Sequence, residues 1–222
     1  EGLRHWRSGL SATASMQRAL DHDPTMMAAH VRLALMNYAE RHIAMARRHY
    51  RAAATKRDAL GPRDQSMLGV LEPLVQRQPS DLALAQQRVD AALTRHPRDP
   101  ELLLFASVIA RDDYKRALAY VKRALAADPQ FAMAAGSAGQ FHAYLGDFEA
   151  ANLALKRCVE ASPLAYGCLM NQSWIDEQHG RCRAIEAAAR LLIASQPDSH
   201  VGYQILAESL AGLGQPVEAI GE

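Results

Sequence analysis

The sequence predicts an all-α fold, a solenoid in which antiparallel helix pairs stack one on the next. Three observations carry that prediction. The stretch Leu145–Pro163, LGDFEAANLALKRCVEASP, runs from a Gly-containing turn through an Ala-rich helical pattern to a proline. It returns 34 residues on as HGRCRAIEAAARLLIASQP, closed by Pro197, and 34 residues back, where YKRALAYVKRALAADP is closed by Pro129. The composition, 49% apolar but only 6% aromatic, suits closely packed helices better than a sheet. At this period one helix pair cannot bury its own apolar stripe, so each must pack on its neighbours.

Each second helix carries a small residue, a larger apolar one four later, and a small or apolar one three after that. The triplets are Ala12/Met16/Ala19, Ala46/Tyr50/Ala53, Ala85/Val89/Ala92, Ala117/Val121/Ala124, Ala151/Leu155/Cys158 and Ile185/Ala189/Leu192. Steps of four and three place all members on one helical face. The small residues let two helices approach, and the larger one fills the groove between them. A proline then disfavours helix in the residue before it and is tolerated in the first turn of the next. Gly146-Asp147 and Gly180 supply turns within pairs, where a positive φ is needed.

The array reads as one domain over 1–222. Residues 1–58 hold the first repeats, and 59–99 are a degenerate repeat with a longer loop at 58–64. There Pro73 stands where a small residue is expected, so no clean first helix is predicted and the helix should kink or stop. Residues 100–222 are regular, with a tight turn at Arg111-Asp112-Asp113 and a last copy, LGQPVEAIGE, that stops at Glu222. Because the chain opens at Glu1 inside a helical pattern, we read it as a segment of a longer protein.

The pattern resembles the tetratricopeptide repeat. Residues 130–163 and 164–197 match it best, with Gly139, Gly146, Phe148, Ala151, Leu155 and Pro163 in register; 27–60 also fit, with Asp58 in place of proline. The resemblance implies a right-handed superhelix of about six helix pairs, whose first helices line a concave groove for extended or helical peptides. Three phrases are similar to the repeat regions that follow kinase domains in bacterial serine/threonine kinases. They are Glu1-Gly2-Leu3, the run Gly180 to Arg190, and the run Tyr203 to Ala219. This similarity implies a regulatory part of a bacterial signalling protein.

The formal charge of +1 argues against a strongly electrostatic, nucleic-acid-type partner. Residues 1–100 hold 15 Lys/Arg against 10 Asp/Glu and the rest 10 against 14, a mild gradient that does not change this conclusion. The helix 41–57 carries Arg41, Arg47, Arg48, Arg51, Lys56 and Arg57 without an acid, and is read as a solvated outer face. No apolar run reaches transmembrane length, so no membrane insertion is expected of this segment. The expected location is cytoplasmic, or periplasmic if a transmembrane segment lies upstream.

No catalytic, cofactor or metal site is expected. AGSAG around Ser137 lies in a helical context, whereas a nucleophile elbow needs a strand before it. The nine histidines show no HxxxH or HExxH spacing, and His142 and His179 are the pair on successive first helices. Cys158, Cys168 and Cys182 are an odd set without CxxC spacing, first read as small buried side chains. A Cys158–Cys168 bridge stays open, since the two flank one inter-repeat turn.

What remains is the inner face. By the resemblance, Met133, Gln140, Tyr144, Met170, Asn171, Trp174, Gln178, Gln204 and Glu208 line it, an apolar and amide-rich wall with aromatic anchors. No cation accompanies Asn171, so a clamp for a partner's terminal carboxylate is not expected. The expected function is a non-enzymatic scaffold binding a protein or peptide. The alternatives are a sensory domain for a small ligand or its own parent kinase, and an architectural module self-associating through its truncated ends.

Overall fold

The computed structural model describes residues 2–9, 12–197 and 200–216, and the end of the last sequence copy, from 217 on, lies outside them. The described residues are all-helical, with no strand. In chain order the helices are α1 (Gly2–Arg7), α2 (Thr13–His22), α3 (Met27–Ala39), α4 (Ile43–Thr55), α5 (Pro62–Val75), α6 (Leu82–Arg95) and α7 (Pro100–Ile109). They continue with α8 (Tyr114–Ala127), α9 (Ala132–Tyr144), α10 (Phe148–Ala161), α11 (Tyr166–Gln178), α12 (Cys182–Ser195) and α13 (His200–Gly212). Of the eighteen triplet residues, all but Ala19 and Tyr50 are buried, as a shared inward face requires.

The helices form two compact units, one of residues 1–3 and 12–129 and one of 4–11 and 130–222. In unit 1, α3 pairs with α4, α5 with α6 and α7 with α8, and each pair packs on the next. In unit 2, α9 pairs with α10 and α11 with α12, α9 and α11 lie side by side, and α13 packs on α12. Residues 4–9 belong to unit 2. There the Tyr166 N–H donates to the Gly9 carbonyl at 3.1 Å, and the Arg7 guanidinium lies 5.6 Å from the buried Phe131 ring centroid.

Four helix starts, those of α6, α7, α8 and α10, are marked by aspartates. Asp81, Asp99, Asp113 and Asp147 accept from the N–H groups of Leu84, Leu102, Arg116 and Ala150, at 2.9 to 3.1 Å. Each cap satisfies a donor that the first helical turn leaves without a partner. Within pairs, the chain reverses through positive φ at Gly146 (81°) and Gly180 (64°), as expected. Arg41 takes the same conformation (64°) in the pair α3/α4.

The segment 59–99 is more regular than expected. A 3₁₀ turn at Arg57–Ala59 leads into α5, which starts at Pro62 and runs through Pro73 into its last turn. Pro73 has no N–H for the Gly69 carbonyl, and a neighbouring guanidinium takes that carbonyl instead. Arg88 of α6 donates to it at 2.7 Å and to the Glu72 carboxylate at 2.7 Å. The helix end is then closed by Ser80 Oγ on the Leu74 carbonyl (2.6 Å), the Asp81 N–H on Pro73 (2.9 Å) and Arg47 Nε on Val75 (2.7 Å). Arg47 of the basic helix thus caps the following helix, a role that cations at a helix C-terminus commonly fill.

A buried ion network joins three successive first helices of unit 1. Arg32 of α3 reaches Asp64 of α5 and Glu101 of α7, both at 3.2 Å. Arg63 of α5 reaches Asp64 (2.7 Å), Glu101 (2.6 Å) and the α7 cap Asp99. Burial works against the Arg63 charge, yet the Asp99 and Glu101 carboxylates raise its pKa above the ordinary arginine value. Burial likewise opposes the Asp99 charge, but the hydrogen bond from Arg63 and the Leu102 N–H hold its pKa below the usual range.

Candidate functional site

The site lies in unit 2, on the first-helix face of α9, α11 and α13. Its geometry comes from unequal packing. Gly139 of α9 gives α10 room, since a Cβ there would stand 2.5 Å from the Leu155 Cγ. Gly136 sits against the next pair, where a Cβ would be 2.9 Å from Cys168 Sγ. That sulfur is bonded to Cys158, with Cα atoms 6.2 Å apart, so the bridge left open by the sequence is present between α10 and α11.

α13 follows a different rule. Gly202 and Gly212 bring it against α12, for a Cβ would be 2.8 Å from Ile193 Cγ1 and 2.9 Å from Cys182 Sγ respectively. Its contact with α11 is slight by comparison. The difference leaves a cavity of about 420 Å³ between α11, α12 and α13. Its floor is the buried Ile185, Ser173 and Ser209, and half-buried Met170, Cys182, Val201 and Ile205 form the walls. Trp174, Glu177, Gln204 and Glu208 stand exposed at the mouth.

The floor hydroxyls already donate within their own helices, Ser173 to the Leu169 carbonyl at 2.9 Å and Ser209 to Leu206 at 2.8 Å. Their protons are therefore not offered to a guest, and the interior favours an apolar group. At the mouth, Gln204 donates to Glu208 at 2.9 Å, and Trp174 meets Tyr144 edge to face, with centroids 6.2 Å apart. Gln140 donates to the Tyr144 hydroxyl at 3.2 Å, so the aromatic pair is braced from α9. Both rings remain exposed, Trp174 at 39% and Tyr144 at 47%.

Met170, Trp174, Gln204 and Glu208 thus surround one cavity, with Tyr144 and Gln140 attached to it through Trp174. Met133, Asn171 and Gln178 lie outside its lining. Met133 faces residue 9 instead, its Sδ lying 3.8 Å from where a Gly9 Cβ would stand. Glu177 and Ile205 are lining residues that the sequence reading passed over. Glu177 was within reach of periodicity, since Met170, Trp174 and Glu177 step by four and three along one face of α11.

The other candidates have local partners. Ser137 donates to the Met133 carbonyl inside α9 (3.0 Å), so AGSAG is helix, not elbow. His142 faces Asp147 at 3.4 Å, and His179 packs edge to face on Phe148. In unit 1, burial and then the charges of His30 and Arg48 push the His49 imidazole down to about 4. Among the described residues no group of three or more His, Cys, Asp or Glu side chains could hold a metal, and no helix is long and apolar enough to cross a membrane.

Fold and site together define a helical-repeat protein with an open recess on its first-helix face. Neither a family model nor a curated protein sequence matches the chain. Solved structures do: the MamA protein aligns with a TM-score of 0.57 at 19% identity, over 70% of this chain and 86% of that one. A tetratricopeptide repeat protein from Parabacteroides merdae aligns at 0.57 and 17% identity, over 86% and 75%. A chain of the APC/C hetero-tetramer Cut9–Hcn1 aligns at 0.57 and 17%, over 90% of this chain and 39% of that one. These likenesses establish the fold, a tetratricopeptide-type stack of helix pairs.

Proposed function

We propose that this chain is a protein-interaction scaffold whose unit 2 docks a peptide or protein segment at the α11–α13 recess. The observation that carries the reading is the exposed Tyr144–Trp174 pair beside an apolar cavity whose mouth holds Glu177 and Glu208. An aliphatic or aromatic side chain would fill the interior, and a neighbouring Lys or Arg would meet the carboxylates. The helices are fixed by packing, so little ordering entropy is lost on the scaffold's side. Regulation of a kinase in the same polypeptide is the narrower form of the proposal, and it rests on the phrase resemblance alone.

A second reading, a small ligand in the same cavity, is favoured by a volume within the range of ligand pockets, about 300–1,000 Å³. The test is selection of a displayed random peptide library against the full chain. Enriched peptides should join an apolar anchor to a basic residue, and Trp174→Ala should weaken them about tenfold or more. Helicity and Tm should stay nearly unchanged. Equal binding by the variant refutes the docking role, and a large fall in Tm assigns Trp174 to packing.

A further inference from the structure

A second cavity, of about 430 Å³, lies in unit 1 among Gln17, Pro24, His30, Met45, Arg48 and His49. Inside it two imidazoles from different helices face each other. His30 Nδ1 of α3 and His49 Nδ1 of α4 are 2.9 Å apart, with ring centroids 5.2 Å apart and a 39° tilt. Two imidazole nitrogens bound tetrahedrally to one ion at about 2.05 Å stand about 3.3 Å apart. The pair therefore needs to part by only about half an ångström to accept a metal.

We propose that His30 and His49, with the Met45 thioether as third donor, form a site for a soft monovalent cation such as Cu(I) or Ag(I). Two features of the cavity support this choice. First, Met45 precedes His49 by four residues, which puts both on one face of α4, and it lines the same cavity.

Second, the charge selects the ion. Among the described residues the lining contains no carboxylate, and Arg48 contributes a positive charge. Two neutral nitrogens and a thioether match soft, singly charged ions, whereas a divalent ion would gain no compensating anion. On binding, the proton that bridges the two Nδ1 atoms moves through solvent to the Nε2 of its own ring, so each ring keeps one proton and none is released overall.

The test uses the full chain carrying Cys182→Ser, so that the free thiol of unit 2 does not compete. It is titrated anaerobically with an acetonitrile complex of Cu(I) against a chromogenic chelator. One Cu(I) should bind per chain, with a mixed nitrogen and sulfur shell by X-ray absorption. His30→Asn or His49→Gln should each weaken it about a hundredfold, Met45→Leu about tenfold, and Zn²⁺ should bind far more weakly. Equal Cu(I) affinity in His49→Gln overturns the site. Since a core substitution can also perturb folding, the imidazole ¹⁵N signals of the Cys182→Ser chain are followed with Ag⁺ as well. Shifts at both Nδ1 atoms support the site, and their absence leaves a hydrogen-bonded histidine pair only and overturns it.

Discussion

Removing Arg88 should harm the protein chiefly because Pro73 is present. The Arg88 guanidinium occupies the Gly69 carbonyl that Pro73 leaves free, and it also pairs with Glu72. In Arg88→Met the carbonyl loses a charge-assisted partner, at a cost of about 1–1.5 kcal/mol. The half-exposed pair with Glu72 adds about 0.5 kcal/mol. In a Pro73→Ala background the backbone N–H restored at that position reaches the Gly69 carbonyl by the ordinary helical bond. Arg88→Met should then cost only the Glu72 pair. The two substitutions should therefore couple by about 1 kcal/mol, measured by urea unfolding of the four proteins at pH 7. Additivity to within about 0.3 kcal/mol would refute the account of how α5 tolerates its proline.

Two glycines should respond in opposite directions. Gly139→Ala drives a Cβ into Leu155 and should cost about 1–3 kcal/mol, while Gly69→Ala, with nothing within 4 Å, should gain about 0.5–1 kcal/mol. Equal effects in denaturant melts would contradict the packing described. Asp99 has a folded-state pKa below its unfolded one, so it contributes stability above the unfolded value near 3.8, which is lost as pH falls through the folded value. Asp99→Asn keeps the α7 cap but should flatten this acid limb in melts between pH 5 and about 2; an unchanged limb argues against the Arg63 pairing. Reducing Cys158–Cys168, or replacing both by Ala, should destabilise unit 2 by about 2–3 kcal/mol through its ten-residue loop, with hydrogen exchange in unit 1 unaltered. Equal loss of protection in α3 to α8 would count against this local role.

Sequence periodicity revealed the helix pairs because it reports which face of each helix is inward, and the triplets are buried accordingly. It misjudged 59–99, where proline chemistry is rescued by an arginine of the next helix and no local pattern encodes that contact. The Arg32–Arg63–Asp99–Glu101 network was equally invisible, since its members lie up to 69 residues apart and each looks like an ordinary surface charge. Around the candidate site, the family resemblance nominated Met170 and Trp174, and helical spacing from these two could have added Glu177. The recess itself was not readable, because it depends on how far α13 stands from α11.

That distance is set from behind. Gly202, outside the cavity lining, and Gly212, within it, lie where α13 meets α12, and together they govern where the front of α13 lies. Adding even a methyl at Gly202 would push the helix off α12 and redraw the aperture beside Trp174 without altering one lining residue. The width of such a recess is thus adjustable by a spacer-like change on the α12 side of α13, leaving the chemistry of the opening intact.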